Sequence, residues 1–189
     1  MEPYSIRNAK PEEQRELTRL CVRATLHAGY DDAFVDRALP ALTVTLPSIA
    51  AGAVQVAAQA SGEVVGVVEV ERTLPGIALL GRIFVDPQYW KQGVGRLLFG
   101  AAVRRANEWT AGALMIYAEP SAEGFYRRMG AIRIGEGPFW FSPEIILPRF
   151  IFILPQTAAV ACGRSGNDHH ETFKHSTTSG VLSVQSTEQ

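Results

Sequence analysis

Trp90-Lys91-Gln92-Gly93-Val94-Gly95-Arg96 is the stretch on which the fold turns. It follows a strongly apolar run, Ile77 to Val85, and opens an amphipathic helical pattern, so the chain reads strand, tight turn, helix. Two glycines one residue apart let the main chain turn sharply and come close to a ligand. The first N–H groups of the following helix have no internal partners and point outward, which makes the turn a cradle for an anion such as a pyrophosphate. Lys91 and Arg96 bracket it with positive charge, a screened attraction with little selectivity among polyphosphates. Both common nucleotide signatures are incomplete. The dinucleotide fingerprint needs a third glycine where Leu98 stands, and the P-loop needs Gly-Lys-Ser/Thr where Gly95 is followed by Arg96 and Leu97.

One apolar strand further on, after Ala113 to Tyr117, comes Glu119-Pro120-Ser121-Ala122-Glu123-Gly124-Phe125-Tyr126-Arg127-Arg128-Met129-Gly130. In this order and spacing the two segments resemble the GNAT acetyltransferases. That family carries a pyrophosphate loop of the form Arg/Gln-x-x-Gly-x-Gly/Ala, then a short helix with an A-x-x-F-Y-x-x-x-G signature. Ala122, Phe125, Tyr126 and Gly130 fit the second motif at every spacing, and Gly93 and Gly95 fit the first. The loop departs at its first position, where Trp90 replaces Arg or Gln and Lys91 or Gln92 is the candidate substitute donor. Ser121 stands where many relatives have an Asn that contacts the pantetheine arm; its hydroxyl still donates and accepts. The resemblance covers roughly residues 4 to 154, with the specific motifs between 77 and 131. It implies an α/β (α+β) acyl-CoA N-acyltransferase fold, a central, mostly antiparallel mixed sheet flanked by helices. It also implies acetyl-CoA as cosubstrate, held by Phe84, Val85, Lys91, Gln92, Gly93, Val94, Gly95, Arg96, Ser121 and Phe125.

Composition sets the frame. A chain of 189 residues, 47% of them hydrophobic, can bury one core and has little room for two. A formal net charge of −1 argues against broad nucleic-acid or anionic-membrane binding. Cys21 and Cys162 suggest neither a disulfide framework nor a zinc site. The N-terminus lacks the basic start and apolar run of a signal peptide, and no stretch reaches the ~18 apolar residues of a membrane span. The expectation is a cytoplasmic protein with no nucleic-acid and no membrane partner, compatible with a homodimer, and without a required metal.

Along the chain, Tyr4 to Arg7 reads as a first strand. Pro11-Glu12-Glu13 opens a helix with Leu17, Leu20, Cys21 and Ala24 on one face, ended by Gly29. Asp31 to Leu39 reads as a second helix, and Pro40 and Pro47 punctuate a connector after it. Ala53 to Ala58 and Glu63 to Glu71 form a hairpin through Ser61-Gly62, and Ile77 to Val85 is the central strand. Val94, Leu97, Leu98, Ala101 and Ala102 make one face of the cradle helix. Ala131 to Ile134 is a short strand; Ile145 to Leu154, interrupted by Pro148, reads as a sheet-edge or bulged strand. The domain is therefore expected over residues 1–155. Residues 156–189, rich in Ser, Thr and Gly, read as a flexible polar tail whose His169, His170 and His175 are solvated rather than metal-binding.

Acetyl transfer to an amine requires a bound thioester, a deprotonated amine, a polarised carbonyl and a proton for the departing thiolate. Tyr126 is the candidate acid: a phenol of pKa about 10 is protonated at neutral pH, and in the family this tyrosine lies near the CoA sulfur. The carbonyl would be polarised by a main-chain N–H near Phe84 or Val85, where family members splay the central strand. For the base, Glu69 and Glu71 share one strand face, His27 and Tyr30 lie at the break between the first helices, and Glu119 ends a strand before Pro120. The acceptor is expected to be a small-molecule primary amine. Protein or peptide N-acetylation is the same-class alternative, and a non-catalytic acyl-CoA sensor is the alternative of a different class.

Overall fold

A computed structural model describes residues 3–139 and 142–155. Its centre is a seven-stranded sheet. The strands are β1 (Tyr4–Asn8), β2 (Val54–Gln59), β3 (Val64–Leu74), β4 (Ile77–Val85), β5 (Ala113–Tyr117), β6 (Ile132–Phe139) and β7 (Ser142–Ile153). Their order is β1-β2-β3-β4-β5-β7-β6, and β4 with β5 is the parallel pair among otherwise antiparallel neighbours. The helices are α1 (Gln14–His27), α2 (Asp32–Leu42), α3 (Leu46–Ala50), α4 (Val94–Glu108) and α5 (Glu123–Arg128).

Both faces of the sheet are covered, which is why its middle strands are mostly apolar, with Glu69 and Arg82 paired inside. Leu17, Leu20 and Cys21 of α1 pack with Val54, Val56 and Val67 in one cluster. Val94, Leu98, Ala101 and Ala102 of α4 pack with Ala57, Val68 and Val70 in another. The stripe expected on α1 is buried as its spacing requires, with Leu17 and Cys21 at 0% exposure.

Four local expectations change. α2 runs through Pro40 to Leu42, because the carbonyl that loses its partner there belongs to exposed Asp36, which water can reach. The connector after it contains α3, capped by Thr45, whose hydroxyl accepts from the Ser48 N–H at 3.2 Å, with Pro47 in the first turn. β7 is interior rather than an edge: it lies between β5 and β6, and its Pro148 carbonyl accepts from the Ala118 N–H at 2.8 Å. The ladder tolerates the proline because the missing N–H falls just past the last residue of β5, where pairing with that strand ends. The edge is β6, which extends to Phe139. The expectations for residues 156–189, including Cys162 and the three histidines, lie outside the described residues.

The feature that positions a site is where β4 and β5 part. They pair only from Ile77 and Ala113 to Leu80 and Ile116. On its other edge β4 carries a bulge, because Val70 faces Leu80 while Glu69 faces Arg82, leaving Gly81 as the extra residue. Beyond it β4 stays with β3 to Val85, and β5 stays with β7 to Tyr117, so a wedge opens between them.

Candidate active site

At the end of β4 the chain turns into the cradle. The Asp86 carboxylate caps a short 3₁₀ turn, Pro87–Tyr89, by accepting from the Gln88 N–H at 3.2 Å, and its other oxygen takes the Arg23 guanidinium of α1 at 2.7 Å. Trp90 donates its indole N–H to the Val85 carbonyl at 2.8 Å and sets its ring edge-on to His27 at 4.8 Å. Lys91 and Gly93 both have left-handed backbones, with φ of 62° and 86°. That conformation costs glycine nothing, and a Cβ on Gly93 would meet no protein atom within 4 Å. The space above the turn is open.

The N–H groups of Arg96 and Leu97 both return to the Gly93 carbonyl, at 3.0 and 3.2 Å. Those of Gly93, Val94 and Gly95 have no partner among the described residues, and no side chain caps α4. An anion held here meets converging N–H groups and the positive end of a 15-residue helix. Lys91, Arg96 and Arg128 line the same space.

From this cradle a cavity of about 1060 Å³ runs through the wedge to the turn between α1 and α2. It brings together Phe84, Val85, Lys91, Gly93, Gly95, Arg96, Ser121, Phe125 and Tyr126. Two residues of the expected CoA set turn their side chains elsewhere. Val94 is fully buried in the core, and Gln92 is spent on structure, accepting from the Tyr4 hydroxyl at 2.7 Å and donating to the Gln88 carbonyl at 2.9 Å. The phase of the β3–β4 ladder also assigns the main-chain groups. The Asp86 N–H bonds the Val65 carbonyl, so Phe84 and Arg82 turn their main-chain groups to β3, while Ile83 and Val85 turn theirs to the wedge. Of the two N–H groups expected to polarise a carbonyl, Val85 is therefore the one presented. Ile83 joins it, and Phe84 contributes only its side chain.

Tyr126 is 5% exposed, enclosed by the rings of Phe99, Phe125 and Phe150, and lines the cavity. Burial raises its pKa above the usual phenol range, and the nearby negative Glu119 adds to the rise, so the phenol keeps its proton at neutral pH. Glu119 lies at the end of β5 on the cavity wall. Its carboxylate accepts from the Ser121 N–H at 2.8 Å, from the Ser121 hydroxyl, and from the Tyr30 hydroxyl at 2.9 Å. Tyr30, stacked on Phe34 at 4.3 Å, is pushed up to about 12 by burial and then by the bond to Glu119.

The other base candidates lie off this wall. Glu69 is 2% exposed and is held by Arg82 at 2.6 Å, a contact whose N–H direction makes it an ion pair rather than an aligned hydrogen bond. A second Arg82 nitrogen donates to the Leu42 carbonyl at 3.0 Å, so the pair ties α2 to the bulged part of β4. Glu71 packs beside Gly81, and its pKa is raised by burial and then by Glu69. His27 lies in a separate shallow depression with Arg23 and Asp86. Cys21 is buried, its thiol pushed up to about 12 by burial, which leaves it unreactive.

Sequence reasoning missed Ile83, Arg128 and the α2 residues Phe34, Arg37 and Ala38, all of which line the cavity. The apolar residues among them carry the ordinary signal of a core-facing stripe. Among the described residues no three His, Cys, Asp or Glu side chains gather as a metal site, and no helix is long and apolar enough to cross a membrane.

A model of the acetyltransferase (GNAT) domain matches residues 41–138. Among solved structures, Ard1 from Thermoplasma volcanium is 19% identical, with a TM-score of 0.61 over 82% of this chain and 99% of that one. The PaiA N-acetyltransferase from Thermoplasma acidophilum, solved in complex with coenzyme A, is 16% identical with a TM-score of 0.63 over 77% and 97%. The ribosomal-protein-S18-alanine N-acetyltransferase from Escherichia coli is 14% identical with a TM-score of 0.58 over 83% and 97%. At these identities the likeness is one of fold. A search of curated proteins found no match.

Proposed function

The chain belongs to the GNAT acetyltransferase family, and on that premise we propose that it moves acetyl from acetyl-CoA to a small-molecule primary amine by direct attack in a ternary complex. The observation that carries this reading is the wedge between β4 and β5. It has unpartnered N–H groups at its head and a protonated phenol with a carboxylate deeper in the same cavity. The pyrophosphate belongs on the N–H groups of Gly93, Val94 and Gly95, with Lys91, Arg96 and Arg128 supplying positive charge around it. The pantetheine arm belongs along the free edge of β4, beside Ile83 and Val85. Trp90 already occupies the Val85 carbonyl, so that residue offers only its N–H.

In the reaction the amine nitrogen bonds to the thioester carbon and the carbon–sulfur bond breaks. The Val85 or Ile83 N–H stabilises the charge that develops on the carbonyl oxygen. Glu119 takes the proton lost by the nitrogen, directly or through one water, after releasing Tyr30. Tyr126 gives its proton to the sulfur, and proton return from Glu119 through solvent restores the resting state.

A pocketed acceptor is favoured by the Tyr30–Glu119 bond, which bridges the α1–α2 turn to the end of β5 across the acceptor side. The test is calorimetric titration with acetyl-CoA, followed by thiol release with a panel of amines and peptides. Binding with release driven by small amines is expected. Release driven only by peptides would move the acceptor to a protein or peptide amine, the kind of acceptor that the name of the ribosomal-protein-S18-alanine N-acetyltransferase gives for that protein. Binding without release from any acceptor would favour a sensor, and absence of binding would overturn the cradle.

A further inference from the structure

The acceptor half of the cavity has a chemistry of its own. α2 turns Phe34, Ala38 and Leu42 toward it at steps of four residues, one face of one helix. The stacked Tyr30 and Phe34 rings close the end near Glu119, and Leu147 of β7 supplies a further apolar wall. The ionisable side chains lining this half are of both signs, Glu119 and Glu144 with Arg37 and Arg82. A polycation needs an excess of carboxylates, and this lining has none. A single amine finds Glu119 beside the Tyr30 hydroxyl, next to the stacked Tyr30 and Phe34 rings and the aliphatic wall.

We infer that the acceptor is a monoamine on an apolar body, aromatic or aliphatic, with its nitrogen beside Glu119 and Tyr30 and its body against Phe34, Ala38, Leu42 and Leu147. This rests on the acetyl-transfer reading and specifies the substrate class of the same site. Apolar surface that leaves water against these walls lowers the free energy of the bound transition state. Each methylene added to a linear amine therefore raises kcat/KM by about fourfold until the cavity is filled.

The experiment uses the full chain with acetyl-CoA and measures thiol release for propylamine, butylamine, pentylamine and hexylamine, then phenethylamine, spermidine and a short peptide with a free N-terminus. The expected result is a rising series, with phenethylamine at least tenfold above spermidine. In parallel, Ala38→Asp, which places a carboxylate on the apolar wall, lowers kcat/KM for hexylamine at least tenfold while calorimetric affinity for acetyl-CoA stays within twofold. The wild-type series decides the matter if that variant does not fold. A flat series, a preference for spermidine or the peptide, or acetyl-CoA binding with no transfer to any amine overturns this inference and leaves the cradle standing. Failure to bind acetyl-CoA is a different result, and it overturns the transferase reading itself.

Discussion

Replacing Gly93 by alanine separates backbone strain from ligand loss, because the structure contains an internal control. Gly93 has φ of 86° and Gly76, in the β3–β4 turn, has φ of 77°. At neither position would a Cβ meet a protein atom within 4 Å. Each substitution therefore costs only the left-handed backbone penalty of an L-residue, about 1–2 kcal/mol, a fall of a few degrees in melting temperature for a domain of this size. The two differ in what the methyl group enters. On Gly93 it enters the open space beside three unpartnered N–H groups; on Gly76, away from the cavity lining, it enters solvent. Displacing a phosphate oxygen from one charge-assisted hydrogen bond costs about 1.5–3 kcal/mol, so Gly93→Ala should weaken acetyl-CoA about tenfold to 150-fold and Gly76→Ala should not. Differential scanning calorimetry and isothermal titration on both variants make the comparison. Equal melting shifts with equal, unchanged affinities would refute the cradle.

Tyr126→Phe keeps the buried ring and removes one proton donor, so steady-state kinetics should show kcat falling at least tenfold with little change in acetyl-CoA affinity; an equal loss in both would assign Tyr126 to packing. Arg82→Ala strands Glu69 at 2% exposure and should destabilise the fold by about 3–5 kcal/mol in denaturant titration, whereas Glu69→Leu with Arg82→Met should recover most of it. Tyr30 and Tyr126 have raised folded-state pKa values, so their contribution to stability is complete below the unfolded value of about 10 and is lost as pH rises through the folded ones. Melting temperature should therefore be insensitive to these groups below pH about 10 and fall toward about 12, less steeply in Tyr30→Phe.

Much of the fold is legible residue by residue. The β4 and β5 boundaries follow from apolar runs, Ile77 to Val85 and Ala113 to Tyr117, and the buried face of α1 follows from helical spacing. The candidate site is legible in part. Gly93, Gly95, Ser121, Phe125 and Tyr126 all line one cavity, yet Gln92 and Val94, embedded in the same motif, turn to structural partners and to the core. A motif specifies the path of the backbone, and the direction of each side chain along it depends on what packs alongside.

The sequence by itself determined the strand, the tight turn and the helix of the cradle, because side-chain period and glycine chemistry act over a few neighbouring residues. Only the tertiary structure decided that Glu119, rather than Glu69, Glu71 or His27, shares a cavity with Tyr126, that β7 lies inside the sheet, and that α2 lines the acceptor half. All three depend on strand order, and the shared cavity depends also on the bulge at Gly81, where β4 leaves β5. Both are set by which distant segments bury one another, and no local pattern of residues encodes that choice.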